Sequence, residues 1–283
     1  MLGRSERDLA AMSASLQTGS VVPEPAARAA RPGTRFAPVI RLSVVVPVRD
    51  EADNVPPLIE EIDAALAGRV PYEIVFVDDG STDATGERLR AARADRPHLR
   101  VLRHATPCGQ STAIRTGVRA ATGEWIATLD GDGQNDPADL PRLLAVATDA
   151  ERDGVQLICG NRRGRRRDPW IKRTASVVAN GVRARVLRDA TPDTGCGLKL
   201  IRRDVFLDLP YFDHMHRFLP ALVRRRGGGV RSIPVNHRAR ERGRSHYGTV
   251  DRLAAGIVDL LGVMWLLRRS RRPDVADARG ADG

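Results

Sequence analysis

An α/β fold, with a mostly parallel Rossmann-type sheet and helices on both faces, follows from three features of the sequence. Short β-branched runs alternate with amphipathic helical stretches from about residue 39 onward. The connections are short enough for right-handed crossovers, which make neighbouring strands parallel. Three strands end in acids, at Glu51, Asp79 and Asp130. In a parallel sheet those acids share one edge, where α/β proteins hold their ligands.

The elements follow in order. Met1 to about Pro38 mixes Ala, Arg, Ser and Pro without a period and reads as a disordered tail. Leu42–Val48 (LSVVVPV) has the composition of a strand buried on both faces and runs into Arg49, Asp50 and Glu51. The next helix takes Asp53 or Asn54 as its cap, repeats Val55, Leu58, Ile59, Ile62 and Leu66 at helical spacing, and closes at Gly68. Tyr72–Val77 is the second strand and stops at Asp78 and Asp79; Ser81 or Thr82 caps a helix that runs to about Ala94. Leu99–Arg103 is a short third strand, Gly109–Ala121 a Gly- and Ala-bearing helix able to approach the sheet closely, and Glu124–Leu129 the fourth strand.

The fourth strand delivers Trp125–Pro137, WIATLDGDGQNDP. Asp130 and Asp132 flank a glycine, and Gln134 follows. Two carboxylates so spaced offer hard oxygen ligands to Mg²⁺ or Mn²⁺ and leave coordination positions for a diphosphate; the same residues also suit a surface turn. Asp136 and Pro137 suit the start of the next helix. Neither a G-x-x-x-x-G-K-[ST] loop nor a G-x-G-x-x-G after the first strand is present, so phosphates would be held by a metal and arginines.

Composition narrows the function classes. The 283 residues carry a net charge of +11, almost wholly from arginine, because Lys172 and Lys199 are the only lysines. Such a surface favours nucleotide phosphates, anionic lipid or nucleic acid, but with 4% aromatic residues a base-stacking nucleic-acid surface is poorly supported. Cys108, Cys159 and Cys196 lie far apart without C-x-x-C spacing, which argues for a reducing compartment and against a disulfide frame or zinc cluster. No apolar run reaches the ~20 residues of a membrane span, and residues 1–38 lack a signal-type stretch.

Six segments, in order over roughly residues 42–250, then resemble the family-2 glycosyltransferases of the GT-A fold. They are VVVPVRDEADN, EIVFVDDGSTDAT, LDGDGQNDP, GNRRGRRRD, DATPDTGCGLKLIRRDVF and IPVNHRARERGRSHYG. Within that family the chain looks like the polyprenyl-phosphate hexosyltransferases typified by dolichol-phosphate mannose synthase. The resemblance implies that Pro47, Arg49, Glu51, Val77 and Asp79 line the base and ribose pocket, with Asp130 and Gly131 at the nucleotide and Asp132 and Gln134 on the metal, Mg²⁺ or Mn²⁺. Asp130, Asp132 and Arg162 would carry the catalysis. Arg162, Arg163, Arg240 and Arg244 would meet the acceptor phosphate, with Arg244 and His246 on a loop that closes over the diphosphate. Arg49 stands where the family usually has Tyr, which makes a base contact a guanidinium stack, and His246 stands where Lys is usual, which makes its charge pH-dependent.

The implied reaction moves a hexose, with inversion, from a GDP- or UDP-sugar to a polyprenyl phosphate. A lipid phosphate, with a second pKa near ~6, is already a competent nucleophile at neutral pH and needs no general base. A sugar hydroxyl as acceptor, the alternative for a soluble transferase, would need one, and Asp193 is then the position to examine, against its other reading as a turn or capping acid. A non-catalytic basic module for RNA or membranes is the alternative from another class. Arg162, Arg163, Arg165, Arg166 and Arg167 around Gly164 suit an anion-gripping loop or a solvated charge run. Asp213, His214 and His216 lack the further ligands of a second metal site and suit a turn or the acceptor groove.

Leu253–Leu267 is the longest apolar stretch, broken by Asp259 and followed by Arg268, Arg269, Arg271 and Arg272. As a helix it would span only ~22 Å, short of the ~30 Å hydrocarbon core. It suits an interfacial helix with Trp265 at headgroup depth, or a core or homodimer-interface helix. The expected organisation is therefore a tail at 1–38, a GT-A domain at 39–250, a membrane-interface helix with its basic flank at 251–272 and a second tail at 273–283. Such a protein would lie in the cytoplasm, peripherally at the cytosolic face of the membrane.

Overall fold

The computed structural model describes residues 40–162, 187, 191–239 and 249–269, with the side chains of 249–255 left aside. The expected tails at 1–38 and 273–283 lie outside the described residues, as do Arg163, Arg165, Arg166, Arg167, Arg240, Arg244 and His246.

Seven strands form one sheet in the order β3-β2-β1-β4-β6-β5-β7. They are β1 (Leu42–Val48), β2 (Tyr72–Asp78), β3 (Leu99–Arg103), β4 (Trp125–Thr128), β5 (Val155–Asn161), β6 (Lys199–Arg202) and β7 (Gly229–Pro234). β1 pairs in parallel with β2 and β4, and β2 with β3. β6 runs antiparallel to both β4 and β5, so the sheet is mixed, with β7 parallel to β5 at the far edge. The chain passes from β1 to one side for β2 and β3, then returns to β1's other side for β4. That reversal opens a crevice at the carboxyl ends of β1 and β4.

Alternation along β1 feeds two cores. Leu42, Val44, Val46 and Val48 pack with α1 (Val55–Leu66), α2 (Thr85–Arg93) and α4 (Leu140–Glu151). Val45, with Val75, Val77 and Ile126, faces α3 (Gln110–Ala120), α5 (Arg203–Asp208), α6 (Leu219–Arg226) and α7 (Thr249–Arg268). Helices therefore cover both faces, as the apolar strands require. The small residues of α3 allow its close approach, since a Cβ on Gly117 would stand 2.4 Å from Val45 Cγ1.

The helix starts differ from expectation for local reasons. Asn54 occupies the N-cap position of α1 without capping it, and its Nδ2 donates to Glu51 Oε2 at 2.5 Å instead. Pro56 and Pro57 follow, so the first turn offers few amide donors for a cap to serve. α2 begins later than Ser81 or Thr82 would place it; Asp83 Oδ1 accepts the Thr85 amide at 2.9 Å. Asp136 does cap the short 3₁₀ turn Pro137–Asp139 that leads into α4, accepting from the Ala138 amide.

α7 packs one side of the C-terminal apolar stretch into the core and leaves the other exposed. Val263 is buried in the second core, with Leu260, Met264 and Leu267 packed against it. Arg225 Nε donates to the Leu266 carbonyl at 3.0 Å, and Asp259 Oδ2 lies 2.9 Å from His214 Nδ1. The opposite side leaves Ile257, Val258, Leu261 and Trp265 exposed by 53–68%. No helix among the described residues is long and apolar enough to cross a membrane.

Candidate active site

The carboxyl ends of β2, β1 and β4 lie side by side, so the three acidic strand ends meet along one edge. At β1, Asp50 adopts φ 53°, an unusual conformation for a residue other than glycine and one that clusters at functional sites. Its Oδ1 accepts from the Thr82 amide at 2.8 Å and hydroxyl at 3.2 Å, and the amide bond is the largest reason its pKa falls below the usual 3.8. The Ser81 hydroxyl accepts the Asp50 amide at 3.0 Å. Ser81 and Thr82 thus tie β1 to the β2 loop instead of starting a helix. Pro47 sits opposite Val77 in the pairing of β1 and β2. Arg49 is exposed, 3.8 Å from Asp50, while Glu51 is buried and its amide donates to Thr85 Oγ1 at 2.8 Å.

Asp79 holds the loop that leads to α3. It accepts from the Cys108 and Gly109 amides, each at 2.8 Å, and lies 2.6 Å from His104 Nδ1. α3 then starts at Gln110, whose Nε2 donates to Asp130 Oδ1 at 2.9 Å. Two strand ends are linked in this way through one loop.

Asp130 is the electrostatic centre of the edge. Burial, then the charge of Asp132, push its pKa above 3.8; Lys199, Arg162 and the Gln110 bond act the other way without cancelling the rise. Gly131 packs so closely on β1 that a Cβ would meet Val48 Cγ1 at 2.4 Å. Asp132 Oδ1 accepts the Gln134 amide at 3.1 Å in a side-chain-closed turn, and the Asn135 side chain accepts the Asp130 amide at 3.1 Å. Gln134 Nε2 donates to the Arg238 carbonyl at 3.3 Å, beside an antiparallel bridge between Asn135 and His237. A Cβ on Gly197 would stand 2.1 Å from Asp130 Oδ2, so a side chain there would displace the Asp130 carboxylate.

Asp130 gives a linkage prediction. A raised pKa means the folded state binds this proton more tightly than the unfolded chain does. The group's contribution to stability therefore falls as pH rises from about 3.8, its ordinary value, through the folded value. Asp130→Asn is expected to raise the urea midpoint at pH 7, with the gain shrinking as the pH is lowered through that range. Paired urea titrations of the two proteins across pH check this.

Arg162, at the end of β5, is gripped by Asp193 through Nε to Oδ2 at 2.8 Å and Nη2 to Oδ1 at 3.0 Å; the Arg162 amide donates to Oδ2 at 3.1 Å. Burial opposes the guanidinium's charge, but the hydrogen bonds and charge of Asp193 outweigh it and hold the pKa above its ordinary value. Asp193 is thus the counter-ion of Arg162, with both carboxylate oxygens engaged.

Lys199 was not singled out by the sequence motifs. It is 3% exposed, donates to the Cys196 carbonyl and sends its positive field onto Asp130. Its signal was scarcity, one of two lysines in an arginine-rich chain. His216 packs on Ser111 Oγ at 2.8 Å; burial, then the charges of Lys199, Arg217 and His214, depress its pKa well below 6.5 and keep it neutral. His214 turns instead to Asp259, so the two histidines and Asp213 act as turn and packing residues.

Residues 43–209 of this chain match the sequence model of glycosyl transferase family 2, across most of these strand ends. The chain belongs to that family. This glycosyltransferase is 36% identical over 241 residues to dodecaprenyl-phosphate galacturonate synthase of Rhizobium johnstonii, covering 83% of this chain and 69% of the relative. It is 37% identical over 215 residues to undecaprenyl-phosphate 4-deoxy-4-formamido-L-arabinose transferase of Klebsiella pneumoniae, covering 75% of this chain and 64% of that protein. Its fold resembles glucosyl-3-phosphoglycerate synthase of Mycobacterium tuberculosis in complex with UDP, with a TM-score of 0.62 at 21% identity and coverage of 84% and 83% of the two chains. The same enzyme with Mn²⁺, UDP and product gives a TM-score of 0.62 at 22% identity, covering 83% of this chain and 81% of that one. The GT-A fold expected from the motifs is the one observed.

Proposed function

We propose that this glycosyltransferase moves a hexose or hexose-derived sugar from a uridine diphosphate donor to a polyprenyl phosphate, inverting the anomeric carbon. The observation that carries the reading is the charge arrangement at the end of β4, where Asp130 and Asp132 repel each other beside the buried cations Arg162 and Lys199. Both curated relatives are named for a polyprenyl-phosphate acceptor, and they differ in the sugar. The solved neighbours hold UDP, which makes uridine the base to test first and GDP the comparison.

The acidic edge also fits a divalent metal. Asp132 and the Gln134 side-chain oxygen are hard donors, and a cation there would offset the Asp132 charge that, after burial, raises Asp130. Mg²⁺ or Mn²⁺ bound there would neutralise charge on the departing nucleoside diphosphate. Pro47, Arg49, Glu51, Val77 and Asp79 border the base and ribose, and Gly131 lets the backbone come close. Arg162, fixed by Asp193, presents its charge to the acceptor phosphate, and Lys199 balances Asp130 from below. Arg163, Arg240, Arg244 and His246 complete the phosphate contacts in this reading. The acceptor dianion needs no proton removed, which agrees with Asp193 being committed to Arg162.

The acceptor is a lipid, and α7 supplies a surface for it. Ile257, Val258, Leu261 and Trp265 share one exposed side, flanked by Arg268 and Arg269. That pattern suits the interface of an anionic membrane, here assigned to the cytosolic face. Trp265→Glu is expected to lower co-sedimentation with anionic liposomes at least ~10-fold, given the depth at which an interfacial Trp sits. Wild-type co-sedimentation in that variant would place the membrane contact elsewhere. The function is tested by screening nucleotide sugars for thermal stabilisation with and without Mn²⁺, then supplying each hit with polyprenyl phosphate or with free sugars as acceptor. Transfer only with the lipid phosphate supports the proposal; transfer to a sugar hydroxyl without it contradicts it.

A further inference from the structure

A carboxylate, an imidazole and a thiol converge at the β2 end of the crevice, and two of them, His104 and Cys108, have no part in the transfer described above. Asp79 follows β2, His104 follows β3, and Cys108 lies in the turn before α3. One ligand-capable atom from each lies within 4.8 Å of the others. The two backbone amides on Asp79 fix its carboxylate, and His104 is held by its second nitrogen, Nε2, at 3.0 Å from Thr116 Oγ1. Cys108 is exposed, with Sγ 3.2 Å from the Thr106 carbonyl.

We propose that Asp79, His104 and Cys108 form a site for a thiophilic divalent cation of the Zn²⁺ class, separate from the Asp132 site. Mixed sulfur, nitrogen and oxygen donors suit zinc, whereas Mg²⁺ and Mn²⁺ prefer oxygen alone. The charges balance, because a thiolate and a carboxylate neutralise the ion and the imidazole binds as the neutral base. On binding, the Cys108 thiol gives its proton to solvent. Without metal, Nδ1 donates its hydrogen to Asp79 Oδ1; on binding, Nδ1 gives up that hydrogen, the neutral imidazole keeps its one hydrogen on Nε2, donated to Thr116 Oγ1, and the freed Nδ1 lone pair takes the metal.

The rearrangement is small. Zinc bond lengths place tetrahedral ligands roughly 3.3–3.8 Å apart. His104 Nδ1 and Asp79 Oδ1, now 2.6 Å apart, must therefore open slightly, while the exposed Cys108 side chain rotates inward. The fourth position is left to water. An ion in this site would occupy the edge where Asp79 is proposed to meet the donor and would inhibit the enzyme. That consequence rests on the donor reading; the site itself does not.

The test titrates the full-length protein, without a polyhistidine tag and without nucleotide, with Zn²⁺ against a chromogenic chelator, and repeats the titration with Co²⁺. One equivalent is expected to bind, at least ~10-fold more weakly in Cys108→Ser and in His104→Gln, the loss typical of altered zinc coordination. Co²⁺ is expected to give a thiolate charge-transfer band that Cys108→Ser abolishes. Cys159 and Cys196 are buried, and burial is the largest cause pushing the Cys196 thiol pKa up, so the band reports Cys108. Equal zinc affinity in wild type and Cys108→Ser, or binding without a thiolate band, would overturn the proposal. Donor stabilisation measured without zinc reports separately on the nucleotide reading.

Discussion

Replacing Asp132 by alanine is expected to lower kcat/KM by about 10²–10³, the loss seen when one group that stabilises developing charge is removed. Its side chain is one of two acids at the end of β4, and its charge is the second cause of the raised Asp130 pKa. Removing it takes away a hard ligand for the metal that would stabilise the leaving diphosphate. The Gln134 amide forfeits one acceptor, a net cost of about 1 kcal/mol, and Asp130 is relieved of a neighbouring charge, which offsets it. The expected signature is near-wild-type thermal stability without ligands, combined with loss of the Mn²⁺-dependent stabilisation by nucleotide sugar. Calorimetry with and without donor separates this from general unfolding.

The second large effect concerns stability. Asp193→Asn is expected to cost about 3–5 kcal/mol, because it leaves a buried guanidinium without its counter-charge. Arg162 and Asp193 are 9% and 5% exposed, so water does little to compensate. The double substitution Arg162→Met with Asp193→Leu removes both charges and should recover much of that stability while leaving transfer activity abolished. Urea unfolding and a transfer assay on the wild type and these two variants provide the check. A double variant as inactive and as unstable as Asp193→Asn would show that packing, not charge, is what this pair contributes.

The parallel half of the sheet was legible because its strands are short runs rich in β-branched and other apolar residues, bounded by acids or turn residues. β1 and β3 have the bounds that the sequence implies, and β2 and β4 differ only at their ends. The shared acidic edge followed from the parallel pairing alone. The second half gave weaker signals. β6 is four residues long, and β7 is a partly exposed edge strand with Gly229 and Pro234 at its ends. The antiparallel turn of β6 between β4 and β5 has no local signature. Helix caps were misread where side chains had longer-range partners: Asn54 serves Glu51, and Ser81 and Thr82 serve Asp50.

At the site, the acids were easier to find than their partners. Asp130 and Asp132 are one residue apart, so spacing reveals them. Arg162 and Asp193 are 31 residues apart and join only once β5 is placed, so Asp193 looked like a base or a turn acid. Lys199 opens a four-residue strand with no motif of its own, and only folding brings its charge to bear on Asp130. Gln110 was likewise invisible, since its bond to Asp130 depends on the loop that Asp79 anchors.

The most direct measurement follows a labelled sugar from a UDP-linked donor into the organic phase, with polyprenyl phosphate and Mn²⁺ present, and determines the anomeric configuration of the product. The account predicts a sugar phospholipid of inverted configuration, formed by the wild type and reduced by about 10²–10³ in Asp132→Ala. Label that never enters the lipid phase with any UDP- or GDP-linked donor, or a product of retained configuration, would contradict it.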